Sequence, residues 1–94
     1  MMSKMTIPQI VEKSLNEQGG NGKPLPLRVF AEALTAGIPN LSISHQTVAY
    51  WLNGEREPGI ETLMTLMFKT RPDDWRHALA SDLIAVKIAQ SAAE

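Results

Sequence analysis

Two histidines, ten acidic residues and no cysteine limit the chemistry open to this chain of 94 residues. Without thiols there is no disulfide, no thiol nucleophile and no cysteine-ligated zinc. His45 and His77 fall in separate segments, and no spacing joins them to carboxylates as a metal site requires. Gly19-Gly20-Asn21-Gly22 is rich in glycine, yet no strand pattern precedes it, as a phosphate-cradling loop needs. The acids are scattered along solvent faces. No enzyme, metal, cofactor or small-molecule ligand is therefore expected. What remains is a polar cluster, Ser44-His45-Gln46-Thr47, followed by Ala49, Tyr50, Asn53 and Arg56. Such side chains suit hydrogen bonding to the edges of DNA bases. An amide pairs with adenine through its donor and acceptor, and a small apolar group touches the thymine methyl.

These residues need helices to position them. Thr6 and Gln9 have capping-box spacing, and Pro8 is tolerated in a first turn. Ile7, Ile10, Val11 and Leu15 follow at helical spacing, which predicts a helix over about 7–17. A glycine-rich loop comes next. Pro26 can open a second helix, in which Leu27, Phe30, Ala31 and Leu34 form one buried stripe ending near Thr35. Gly37, Pro39 and Asn40 punctuate a connection to Ser42. Ser44 is an N-cap for a helix over 44–53, with Val48, Trp51 and Leu52 inward. Asn53-Gly54 closes that helix. A fourth helix is expected over about 60–69 with Ile60, Leu63, Met64 and Met67 inward, and a fifth from Pro72 to about Ser91. No strand pattern and no internal repeat appears. The expected fold is all-α, about five helices in a single domain spanning 1–94.

The stretch Ile43-Ser44-His45-Gln46-Thr47-Val48-Ala49-Tyr50-Trp51-Leu52-Asn53-Gly54-Glu55-Arg56-Glu57-Pro58 resembles the recognition-helix region of the Cro and phage-repressor-like (XRE) helix-turn-helix family. Members of that family show a Ser or Thr cap, a Gln-rich helix start, and a buried Val or Ile. A Trp or Leu comes three residues later, then Asn-Gly or Arg-Gly, basic residues and Pro. Phe30-Ala31 is similar to the family's Leu-Ala pair, and Glu61-Thr62-Leu63 to the start of its next helix. The likeness covers roughly 25–70, with the motif at about 25–58. There are two departures. The connection over 35–42 is about seven residues longer than the family's tight turn. Leu27 stands where the family often has a phosphate-binding Gln.

The resemblance implies a repressor-like domain that binds double-stranded DNA in the cytoplasm, at the nucleoid, as a transcription regulator. Helix 44–53 would lie in the major groove. His45, Gln46, Thr47, Ala49 and Tyr50 would read bases, while Arg28, Asn53 and Arg56 would hold phosphates. Each has a plainer reading. Gln46 and His45 can be solvated residues of a helix start. Tyr50 can pack on a neighbouring loop. Arg56 can pair with Glu55 or Glu57 on a solvated turn. The alternative at the level of function is a protein-interaction adaptor that keeps the fold without binding DNA.

Composition bears on that choice. Apolar residues make up 44% of the chain, enough for one core, and no run is long enough to span a membrane. Net charge is −1, with nine basic and ten acidic residues. DNA binders commonly rely on a cationic surface, so binding here would depend on local geometry. Finally, the fifth helix carries apolar residues on two sides. Trp75, Leu79, Leu83 and Val86 form one stripe, and Ala80, Ile84 and Ile88 are expected nearly opposite. A helix apolar on both sides is sandwiched or shared. The second stripe is expected to join a homodimer through helix 72–91, as two-fold sites favour. The other covering available is the loop over 17–25.

Overall fold

A computed structural model describes residues 5–92; residues 1–4 and 93–94, the ends of the expected domain, lie outside the described residues. Five helices follow in order: α1 (Ile7–Gly19), α2 (Leu27–Thr35), α3 (His45–Asn53), α4 (Ile60–Lys69) and α5 (Trp75–Ala92). There is no strand among the described residues. The chain is all-α, and α5 is its longest element.

Local chemistry accounts for the helix starts. The Gln9 backbone N–H donates to Thr6 Oγ1 at 3.3 Å, and Thr6 N–H donates to Gln9 Oε1 at 2.9 Å. This is the reciprocal capping box that satisfies two orphan donors. Ser44 caps α3 by accepting from Thr47 N–H at 3.2 Å. Gly54 ends α3 in the left-handed region at φ 80°, where its N–H bonds Tyr50 O. Asp74 opens α5 by accepting from Arg76 N–H at 2.9 Å, so the helix begins after Pro72-Asp73 rather than at Pro72. Helix α1 runs two residues past its expected end, to Gly19.

The core gathers Ile7, Ile10, Val11 and Leu15 of α1, Phe30, Ala31 and Leu34 of α2, Val48 and Trp51 of α3, Leu63 and Leu66 of α4, and Leu79, Ala80 and Leu83 of α5. Helix α3 packs on α1 and α2, and α5 packs on α1 and α4. Trp51 is 3% exposed, which fixes the rotation of α3. Trp75 is half-buried, with its ring centroid 5.4 Å from that of Phe30.

Two features depart from expectation. In α4 the buried residues are Leu63 and Leu66, whereas Ile60 and Met64 are exposed. The helix is rotated so that the row 60, 64, 68 faces out, because the core side is filled by Leu63, Leu66 and the half-buried Met67. In α5, Ala80 is 0% exposed and lies in the chain's own core, so it is no part of a free second stripe. Ala80 follows Leu79 by one residue, about 100° around the helix, and both fit the single wide face buried against α1 and α4. Ile84 is half-buried at the edge of that face, and Ile88 remains exposed. The loop over 17–25 does not cover it. Leu25 N–H bonds Leu15 O at 3.0 Å, and Pro24 to Leu27 line a groove with Leu15 and Leu52, against α1 and α3.

The connection between α2 and α3 is long but anchored. Ile38 and Ile43 are buried, and Leu41 is half-buried against the core. From the other side Arg76 reaches the end of α2. Its Nη1 donates to Ala36 O at 2.7 Å and Ala33 O at 3.2 Å. Carbonyls at a helix C-terminus lack intrahelical partners, and a guanidinium there satisfies both hydrogen bond and dipole.

Candidate nucleic-acid interface

The Ser44 cap decides which side chains α3 can offer. It holds Thr47 N–H, and its hydroxyl also lies 3.1 Å from Thr47 Oγ1. The first turn is thereby fixed with His45 and Gln46 exposed on it. Gln46 lies opposite the side that buries Val48 and Trp51, and His45 lies on its flank, one turn before Val48. A short polar first turn of this kind can approach base edges in a major groove.

The other expected readers are placed less openly. Thr47 and Tyr50 are half-buried and line a cleft between α3 and the start of α4, together with Ser42, Ile43, Trp51, Arg56, Glu57, Pro58, Gly59 and Thr62. Ala49 is half-buried on α3 and does not line that cleft. The Arg56 guanidinium carbon stands 4.8 Å from the centre of the Tyr50 ring, a cation–π arrangement. Tyr50 thus packs against the loop that follows its own helix. Neither Glu55 nor Glu57 pairs with Arg56. Glu57 instead accepts from Lys87 Nζ at 3.2 Å, tying the loop to α5.

Asn53 is exposed, but its Oδ1 accepts from Glu55 N–H at 3.2 Å. It helps shape the turn after α3. Arg28 is exposed in the first turn of α2 and does not line the cleft that holds Arg56. The structure therefore brings Thr47, Tyr50 and Arg56 together and leaves His45, Gln46 and Arg28 outside that cleft. The sequence did not single out Gly59 and Thr62. The signal available was the short turn 55–59, which brings the start of α4 to the edge of the cleft. Gly59 gives α4 no side-chain cap.

Charge on this surface stays mixed. Arg28 and Arg56 share residues 25–58 with Glu32, Glu55 and Glu57. The ion pair to Lys87 engages Glu57, which leaves Arg56 with no carboxylate at salt-bridge distance among the described residues. No group of three or more His, Asp or Glu side chains among those residues could hold a metal ion. No described helix is long and apolar enough to cross a membrane. Comparison with protein families, curated proteins and solved structures found no match.

Proposed function

We propose that the chain binds double-stranded DNA in a sequence-specific way and acts as a transcription regulator, as a repressor does. The observation that carries this reading is the Ser44-capped first turn of α3. It exposes His45 and Gln46, and the turn after the same helix carries Arg56, a cation held by the Tyr50 ring rather than by a carboxylate. In this reading Gln46 and His45 meet base edges, Ala49 approaches a thymine methyl, and Arg56 meets a phosphate. Thr47, with its hydroxyl shared with Ser44, supports the turn at its flank. The likeness of residues 25–70 to the phage-repressor-like family supports the same assignment. The protein would work at the nucleoid, as a homodimer presenting two copies of α3 to a two-fold site.

The near-neutral charge makes a specific demand. Few phosphates can be neutralised, so affinity must come from fit and base contact, with a shallow dependence on salt. Selection of bound fragments from a random DNA pool, at low salt, tests the proposal. Enrichment of one motif is the expected result. Recovery of no fragment above background would replace this reading with that of a protein-binding adaptor on the same fold.

A further inference from the structure

The row Ile60, Met64, Phe68 runs along one side of α4 at i, i+4 spacing, outside the face that buries Leu63 and Leu66. Phe68 is 70% exposed and Ile88 of α5 is 61% exposed. Ile60 and Ile88 line one open groove among the polar Glu57, Lys87, Gln90 and Ser91, so each helix contributes one apolar residue to it. Scattered exposed apolar residues need no explanation, whereas a contiguous row does.

The charges around the row say what covers it. Glu57 and Glu61 stand at the N-terminal end of α4, and Lys69 and Arg71 at its C-terminal end; all four are exposed. With Glu57 paired to Lys87 and exposed Asp73 standing beside Arg71, one unpaired acid, Glu61, is left at one end and a net single positive charge at the other. An anionic bilayer or an acidic peptide would suit one end and be repelled by the other. A second copy turned end for end suits both. Ile60 of one copy then faces Phe68 of the other, Met64 faces itself, and acids meet cations at either end. Glu57 already holds Lys87, which leaves Glu61 as the acid for Lys69. Antiparallel helices also oppose their dipoles favourably, and such a contact is self-complementary about a two-fold axis.

We propose that this chain pairs with a second copy of itself through Ile60, Met64 and Phe68 of α4 and Ile88 of α5, with the two α4 helices antiparallel. The inference deepens the dimer in the functional reading above. It places α4 at the centre of the contact, with α5 contributing only Ile88 beyond its buried face.

Sedimentation equilibrium of the full chain, without DNA, tests it. The wild type sediments as a dimer at tens of micromolar. Met64→Glu and Phe68→Glu give monomers that keep the helical circular-dichroism spectrum, because both residues are exposed. Glu61→Lys and Lys69→Glu each weaken the dimer about tenfold, since each contact occurs twice. The double reversal Glu61→Lys with Lys69→Glu restores it, which loss of helix stability at Glu61 would not do. A monomeric wild type at the highest soluble concentration overturns the interface. So does a folded double reversal that stays as weak as its single parents. Neither result touches DNA binding, which the selection experiment judges separately.

Discussion

Arg56 sits with its guanidinium carbon 4.8 Å from the centre of the Tyr50 ring, and its backbone N–H donates to Tyr50 O at 3.3 Å. The ring faces the cation and the backbone bond fixes the loop that carries it. Tyr50 thus serves first as a platform. A guanidinium held this way loses less freedom on meeting a phosphate than one on a free chain. Arg56→Ala should weaken binding to all DNA sequences about equally and make the salt slope shallower by about one unit. Tyr50→Leu should act in the same direction and less strongly, while Tyr50→Phe keeps the ring and should bind as wild type does. Fluorescence anisotropy over a salt series measures all three. A Tyr50→Phe protein as weak as Tyr50→Leu would assign the contact to the hydroxyl instead.

Arg76 joins the start of α5 to the end of α2. Its Nη2 lies 2.9 Å from Asp74 Oδ2, and its Nη1 caps the α2 carbonyls. Arg76→Ala should cost about 2 kcal/mol, because charge-assisted bonds are lost and partly buried carbonyls are left unpaired. Arg76→Lys should recover only part, since an ammonium lacks the fork. The hydrogen bond from Arg76 also holds the Asp74 carboxyl below its ordinary range, against the opposing effect of burial. A depressed carboxylate adds stability that is fully present above its unfolded value, about 4, and that is lost as pH falls through the folded value. Urea unfolding between neutral and strongly acidic pH should show this loss in the wild type. In Asp74→Asn the acid-side decline should be smaller; an unchanged decline would place it on other carboxylates.

At Gly19 the usual rule for helices is reversed. Replacing a helical glycine by alanine ordinarily stabilises, by up to about 1 kcal/mol. Here a Cβ would stand 2.7 Å from Leu25 N and from the Pro24 carbonyl carbon, both of them backbone. The loop returns so closely that Leu25 N–H bonds Leu15 O. Gly19→Ala should therefore lower the melting temperature, with the loop pushed off α1. A stabilised Gly19→Ala protein would show that the loop does not close on the helix.

The helices were legible because caps and periodicity are local signals. Thr6 with Gln9, Ser44 with Thr47, and Gly54 each act within one turn of chain. The rotation of α4 was not legible. Ile60, Leu63, Met64 and Met67 make as good an apolar stripe as Leu63, Leu66 and Met67, and only packing against α5 selects between them. Ala80 was misplaced for a related reason. Its small side chain can sit at a close helix contact or on a surface, and the sequence does not say which. The anchoring of loop 36–44 by Ile38 and Ile43 escaped because those residues follow no regular period. At the site, the Ser44 cap and exposed Gln46 followed from spacing. The Tyr50–Arg56 stack required knowing where the turn after Gly54 would place its cation.

The sharpest expectation for function concerns Gln46. It is exposed on the capped turn of α3, and nothing in the fold uses its amide. Removing it should leave stability nearly unchanged, as for other exposed positions. DNA recognition should change in a particular way. A bidentate amide–adenine pair contributes about 1–3 kcal/mol against the wrong base, so Gln46→Ala should lose up to roughly a hundredfold for the selected site. The preference should flatten at one base pair in each half-site and persist elsewhere. Arg56→Ala should instead keep the preference while lowering affinity throughout, so the two variants separate base reading from phosphate holding. Competition binding against a panel of single-base variants of the selected site distinguishes them. If Gln46→Ala retains the full wild-type preference, α3 is not the reading helix, and the recognition surface must be sought elsewhere on the chain.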